Sequence, residues 1–248
     1  MRVSYLGGAW VIVALMTLSH HVCAQSSLPP FSKATSDKVP APWRLAGLLK
    51  GRPPSAVFDI STIDDTKVLR MRTDKTYGAS IFDVHDFVPT SATLLKWRWR
   101  LDEPVLHADL RRKSGDDAAL KVCVLYDMST ELLPLSERVV LAVARTLIDS
   151  SLPAAALCYV WDVTLPAGML LNNAHTNRIK YWVLDGQGSE TSLKTWKTHE
   201  RHVAQDFLKA FGHESKGMAP VTAIVAAADS DSTKGSSLAY VGDIVLEP

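Results

Sequence analysis

The chain has 248 residues, 47% of them hydrophobic and 21% charged, and its 27 basic and 26 acidic side chains leave a formal charge of +1. So even a balance offers no bulk field to a polyanion, which argues against nucleic acid as the partner. A chain of this size buries one good core, and a single all-β domain of this length is ordinary.

Residues 1–24 read as a secretory leader. Arg2 supplies the positive start, residues 9–18 an apolar core, and Val22-Cys23-Ala24 the cleavage position. The core is shorter than the ~20 residues of a membrane span, and His20-His21-Val22 is a poor approach to a lipidated cysteine. The expectation is export, periplasmic or secreted, with cleavage near Ala24 and no transmembrane segment in the mature chain. Losing Arg2 makes basic and acidic side chains equal in number. Cys123 and Cys158 then remain, an even pair that is a disulfide candidate in an oxidising compartment, although two free buried thiols are also common. There is no CxxC and no Cys/His cluster at zinc spacing.

Residues 25–42 are polar, carry Pro29, Pro30, Pro40 and Pro42, and keep no period, so they read as a tether before a folded domain at 43–248. Short β-rich runs follow at 56–60, 67–73, 79–82, 93–101 and 119–127. Five more lie at 157–162, 178–185, 195–198, 221–227 and 238–246, all separated by turn signals. Two segments break the pattern. Residues 137–148 are Ala-rich with helical spacing, and 203–211 set Val203, Phe207, Leu208 and Phe211 on one face before Gly212, a good helix stop. The predicted fold is an all-β, jelly-roll-like antiparallel β-sandwich with one or two short helices.

Several motifs together carry a family likeness. They are Trp97-Arg98-Trp99-Arg100-Leu101, Lys113-Ser-Gly-Asp-Asp117, the strand from Lys121 to Asp127, and Tyr159-Val-Trp161. Asp206-Phe207 with Ala210-Phe-Gly212, Asp229-Ser-Asp-Ser-Thr233 and Gly242-Asp-Ile244 complete the set. Over residues 43–248 the chain resembles a bacterial family of exported proteins designated only as domain of unknown function 3047. The resemblance implies a β-sandwich related in shape to carbohydrate-binding modules and implies no activity.

Strand parity sorts the side chains, because alternate residues point to opposite faces. Leu95, Trp97, Trp99 and Leu101 share one face, which reads as core; Lys96, Arg98 and Arg100 share the other. Leu69 and Met71 oppose Val68, Arg70 and Arg72. Ile179, Tyr181 and Val183 oppose Arg178, Lys180 and Trp182. If the three strands share a sheet, seven cations gather on one surface. Sheets wet on one side carry Lys and Arg in any protein, so the pattern fits an ordinary solvated face as well as a site for an anionic ligand. The ligand-binding candidates are Arg98, Arg178 and Lys180, with Trp182 or Trp196 as the flat apolar surface for a sugar.

The acidic loops are the second candidate. Asp229, Asp231 and Thr233 alternate in a tight turn that Gly235 can close, and Asp116 and Asp117 can approach from another loop. Such oxygens can hold a structural calcium, though the spacing is not that of an EF-hand and Asp-x-Asp in a turn commonly just bonds nearby amides. No other cofactor is indicated. Enzymatic signatures are thin. There is no Gly-x-Ser-x-Gly, and His199-Glu200-Arg201-His202 is one residue short of a zinc-protease motif. Asp83 with His85 and Asp86, and His107 with Asp109, are weak acid–base pairings. The expected function is a non-catalytic binding module for a carbohydrate or other anionic envelope ligand. A glycan-active hydrolase or lyase and an envelope protein-interaction domain are the alternatives.

Overall fold

The computed structural model describes residues 28–47, 56–147 and 152–248. The leader expected at 1–24 lies outside them, as does the side chain of Asp86.

Among the described residues, thirteen strands form two sheets. In chain order they are β1 (Arg44–Ala46), β2 (Val57–Ile63), β3 (Thr66–Asp74), β4 (Tyr77–Phe87) and β5 (Leu94–Glu103). Then come β6 (Lys121–Tyr126), helix α1 (Leu135–Leu147), β7 (Ala155–Trp161), β8 (Leu170–Asn172) and β9 (Ile179–Asp185). The chain closes with β10 (Lys197–His202), helix α2 (Val203–Phe211), β11 (Val221–Asp229), β12 (Ser236–Val241) and β13 (Val245–Glu247). The seven-stranded sheet runs β1-β4-β11-β6-β7-β9-β8, and the six-stranded one β10-β5-β12-β3-β2, with β13 added to β5. The architecture is an all-β, jelly-roll-like sandwich with two helices. Its pairs are antiparallel except β7 with β9, which run parallel.

Alternation builds the core between the sheets. In β5, Leu95, Trp97, Trp99 and Leu101 are buried while Lys96, Arg98 and Arg100 face outward. Trp97 stacks on Tyr159 of the facing sheet with centroids 5.2 Å apart, and Trp99 meets Trp161 at 6.2 Å. Aromatic pairs of this kind add about 0.5–1.5 kcal/mol each beyond their area. Helix α2 plugs one side, with Phe207 4.6 Å from Tyr126.

The seven-stranded sheet is buried on its other face too. Cys123, Cys158, Val160, Tyr181, Val183 and Val225 form a second apolar cluster there, overlaid by Leu110, Ala118 and Leu165. That two-sided burial makes every residue of β7 inaccessible, as expected for a strand without a wet face. Cys123 and Cys158 stand directly opposite in the β6–β7 register and are disulfide-bonded.

Residues 28–42 are not a free tether. Phe31 is fully buried with its ring tilted against Trp43 at 5.0 Å, and Trp43 in turn meets Phe82 at 5.4 Å. Ser32 donates through N and Oγ to Asp243 at 2.8 and 2.6 Å, and the Asp37 carbonyl accepts from the Ile60 amide at 2.7 Å. The prolines lower the chain entropy that docking must overcome, and burial of Leu28 and Phe31 supplies the drive.

Candidate functional site

Two buried polar networks occupy opposite faces of the seven-stranded sheet. The first closes the β11–β12 turn. Asp229, at the end of β11, accepts from the Ala118 amide at 2.5 Å and from Lys121 Nζ at 2.6 Å. Asp117 accepts from the amides of Ser232 and Thr233 at 3.0 and 2.6 Å and from Thr233 Oγ1 at 2.6 Å. With Asp231, these carboxylates present ligand atoms all within 4.8 Å of one another. Burial would strip the Lys121 ammonium of its proton, but Asp229 beside it outweighs that and holds it charged well above the usual lysine range.

The structure thus brings Asp117, Asp229, Asp231 and Thr233 together, and not Asp116. Its Oδ2 accepts from Asn173 Nδ2 at 2.5 Å, and its Oδ1 is buried without a hydrogen-bond partner. The same Asn173 nitrogen donates to the Tyr181 hydroxyl at 2.9 Å.

The second network lies on the inner face, beside the helices. Lys180 in β9 donates to the Ala210 carbonyl at 2.6 Å and to Glu214 Oε1 at 2.8 Å, with its ammonium 4.6 Å from the Phe211 ring centre. Arg178, two residues earlier, donates through Nη2 to Glu214 Oε2. Its Nε lies 2.8 Å from Glu137 Oε2 of α1. Its Nη1 is buried and has no hydrogen-bond partner. Both cations are 8% exposed, so neither is a solvated surface charge. Burial pushes the Glu214 carboxyl up, but hydrogen bonds from Lys180 and Arg178 win and hold it below its usual range. Together these residues line a cavity of about 340 Å³, with Asn172, Asn177 and His213 on its polar wall and Leu132, Leu133 and Pro134 on its apolar wall.

The expected cationic surface does not form as one face. Arg98 belongs to β5 in the other sheet, and its guanidinium lies 4.5 Å over Trp196, whose Nε1 donates to Asp64 at 3.1 Å. A side chain at Gly242 would come within 2.6 Å of Arg98 Cγ, so glycine leaves the room this arrangement needs. Among the neighbouring cations on that face, Arg70 pairs with Asp59, Arg100 with Asp102, and Lys96 with Glu200 and Glu247. Trp182 is buried in the inter-sheet core between Arg201 and Lys209, each 4.5 Å from its ring centre. Parity placed Arg178, Lys180 and Trp182 on one face correctly. That face points inward, because Ile179, Tyr181 and Val183 are taken by the second apolar cluster.

The weaker acid–base pairings resolve into structural contacts. Asp83 pairs with Arg44 at 2.8 Å on the exposed side of β4, beside a shallower cavity of about 500 Å³ that includes His85. Asp109 is bound by Arg111, whose hydrogen bonds bring its carboxyl down to about 2, so its partner is not His107. His199 and His202 alternate on β10, and His199 meets Asp185 at 2.8 Å where Trp99 Nε1 also donates at 2.7 Å. Glu137 and Glu214, which complete the pocket, carry no local signal in the sequence: one is an ordinary first-turn glutamate of α1 and the other an isolated glutamate after a helix stop.

Asp117, Lys121 and the Asp229–Thr233 motif converge on one network, and residues 41–245 match the family described as protein of unknown function (DUF3047). The chain belongs to that family. No curated protein matches it. Among solved structures, the DUF3047 protein is similar to the glycoside hydrolase domain of Endo-D from Streptococcus pneumoniae R6, at 8% identity and TM-score 0.31, covering 83% of this chain and 21% of that one. It is also similar to the agarase AgWH50C at 8% identity and TM-score 0.34, covering 89% of this chain and 26% of that one. A mutant ENZbleach xylanase matches at 6% identity and TM-score 0.37, covering 88% and 89%. The chain therefore spans about a quarter or less of the first two. Likeness at these scores carries no functional weight. Among the described residues, no helix is long and apolar enough to cross a membrane.

Proposed function

We propose that this DUF3047 protein is an exported, non-catalytic binding module for a carbohydrate or other anionic ligand of the cell envelope, held in the Arg178–Lys180 pocket. One observation carries the reading: Arg178, a buried cation whose Nη1 has no hydrogen-bond partner, lines a cavity of ligand size. Leaving such a donor unsatisfied costs roughly 1–3 kcal/mol, and a bound acceptor removes that cost. An apolar wall of leucines facing a few fixed polar groups is the usual make-up of a small-molecule site. A guanidinium edge suits a carboxylate or phosphate oxygen, and Asn172, Asn177 and His213 suit hydroxyls.

Hydrolysis is the weaker reading. A glycosidase needs one carboxyl that keeps its proton near neutrality, whereas Glu214 is held ionised by two cations. Calcium at the acidic turn, if it binds, is structural. The closeness of Asp117, Asp229 and Asp231 supports it; the ammonium and amide donors already seated on Asp229 and Asp117 oppose it.

The test is calorimetric titration with uronate, sulfated, phosphorylated and neutral oligosaccharides at low and moderate salt, beside a reducing-sugar assay. Anionic members bind, and bind more weakly as salt rises, the screening length being ~8 Å at physiological ionic strength. His213→Ala weakens binding without lowering the melting temperature. Equal binding of neutral and anionic members, or release of reducing ends, overturns the reading.

A further inference from the structure

Helix α1 is inverted. In a surface helix the apolar stripe ordinarily faces the core and the charges face water. Here Glu137 and Arg145 are turned to the body of the protein beside buried Leu141, and exposed Arg138 folds back onto the loop before the helix. Glu137 meets Arg178, Arg138 bonds the carbonyls of Leu133 and Glu131, and Arg145 donates to the Leu152 carbonyl at 2.8 Å. The opposite side holds Leu135, Val139 and Val143 at four-residue spacing, with Val140 beside them, and these are 76%, 54%, 51% and 60% exposed. Leu132, 49% exposed, extends the stripe toward the pocket mouth. Ala142, Ser136 and Thr146 fill the rest of this side, which carries no charge.

We infer that this side of α1 is a self-association surface, on which two copies of the chain pack their α1 helices antiparallel about a two-fold axis. Three features select a second copy over other occupants. A face without charge meets its own copy with no like-charge repulsion, and closed two-fold pairs are the commonest protein assembly. A row of Leu, Val and Val at i, i+4, i+8 with a small Ala alongside forms the ridge that interdigitates with an identical ridge. A lipid surface would call for Lys or Arg beside the apolar face and for Trp or Phe on it; α1 has no aromatic residue, Arg145 is turned inward, and Arg138 is tied back to the carbonyls of the preceding loop. The exposed stripe is on the order of 400 Å², within the range of functional patches on monomers. Doubled, it comes close to the ~1,000 Å² that a specific interface needs, which makes this a weak dimer rather than an obligate one.

The experiment is sedimentation velocity on the purified protein from about 1 µM to several hundred micromolar, the range in which such an affinity reads out. The wild type shifts from monomer to dimer. Val139→Glu, at an exposed position, keeps the melting temperature and weakens the dimer at least about tenfold. Antiparallel packing sets Val139 of one copy against Val143 of the other, so mixing Val139→Glu with Val143→Lys restores the dimer that each alone has lost. A wild type that stays monomeric throughout, or a dimer indifferent to Val139→Glu, overturns the inference. So does flotation with neutral or anionic vesicles in place of self-association.

Discussion

The two networks on the seven-stranded sheet are made of the same chemistry and end differently. At the β11–β12 turn, Lys121 and a string of amides satisfy every oxygen of Asp229 and Asp117. At the pocket, Arg178 and Lys180 face Glu137 and Glu214, and one guanidinium nitrogen is left over. The first is also single-stranded in its logic: one cation answers one carboxylate. The second has two cations sharing Glu214, so it tolerates the loss of one. What separates scaffold from site is therefore the hydrogen-bond account, since charge and burial are alike in both.

The comparison breaks most visibly at Lys121. Lys121→Met leaves Asp229 buried without a cation and is expected to cost about 3–5 kcal/mol in urea unfolding; a cost near zero would mean that the turn does not depend on the pair. Lys180→Met is expected to be milder, roughly 1–3 kcal/mol by the same measurement, because Arg178 still holds Glu214. Equal losses would erase the distinction. A third effect depends on pH. Glu214 has a lowered carboxyl pKa when folded, so its contribution is complete above the unfolded value of ~4.3 and fades as pH falls below it. The stability gap between wild type and Glu214→Gln should accordingly be flat from neutrality to about pH 5 and close on further acidification. A gap that widens in acid would reverse the assignment. The smallest effect is at the pocket wall: Asn177→Ala should change stability by no more than about 0.5 kcal/mol while reducing affinity for an anionic oligosaccharide.

Much of this was legible in the residues, and the failures have physical causes. Period-two alternation sorted β3, β5 and β9 into faces, and the Trp97–Trp99 core follows from it. Alternation does not say which face is inward where both are buried, so it puts Lys180 and Trp182 on a surface although both are buried. Asp117 and Asp229 share a turn as the two acidic motifs suggested, but Asp116, one residue away, points to Asn173. Neighbouring residues in irregular backbone need not share a direction. Glu137 and Glu214 reach Arg178 from 41 and 36 positions away in sequence, and no local pattern carries that information. Leu28 and Phe31, apolar residues among prolines, were the readable sign that 28–42 docks.

The disulfide joins the base of the excursion that leaves β6, forms α1 and returns as β7. Cys123 and Cys158 are 35 residues apart in sequence, which in the chain-entropy picture limits the unfolded state by ~3–4 kcal/mol. It also makes the peptide chain redundant across that span. A protease that cuts anywhere between the two cysteines leaves the strands covalently joined and in register. The α1 excursion can therefore be nicked with the sandwich behind it held shut.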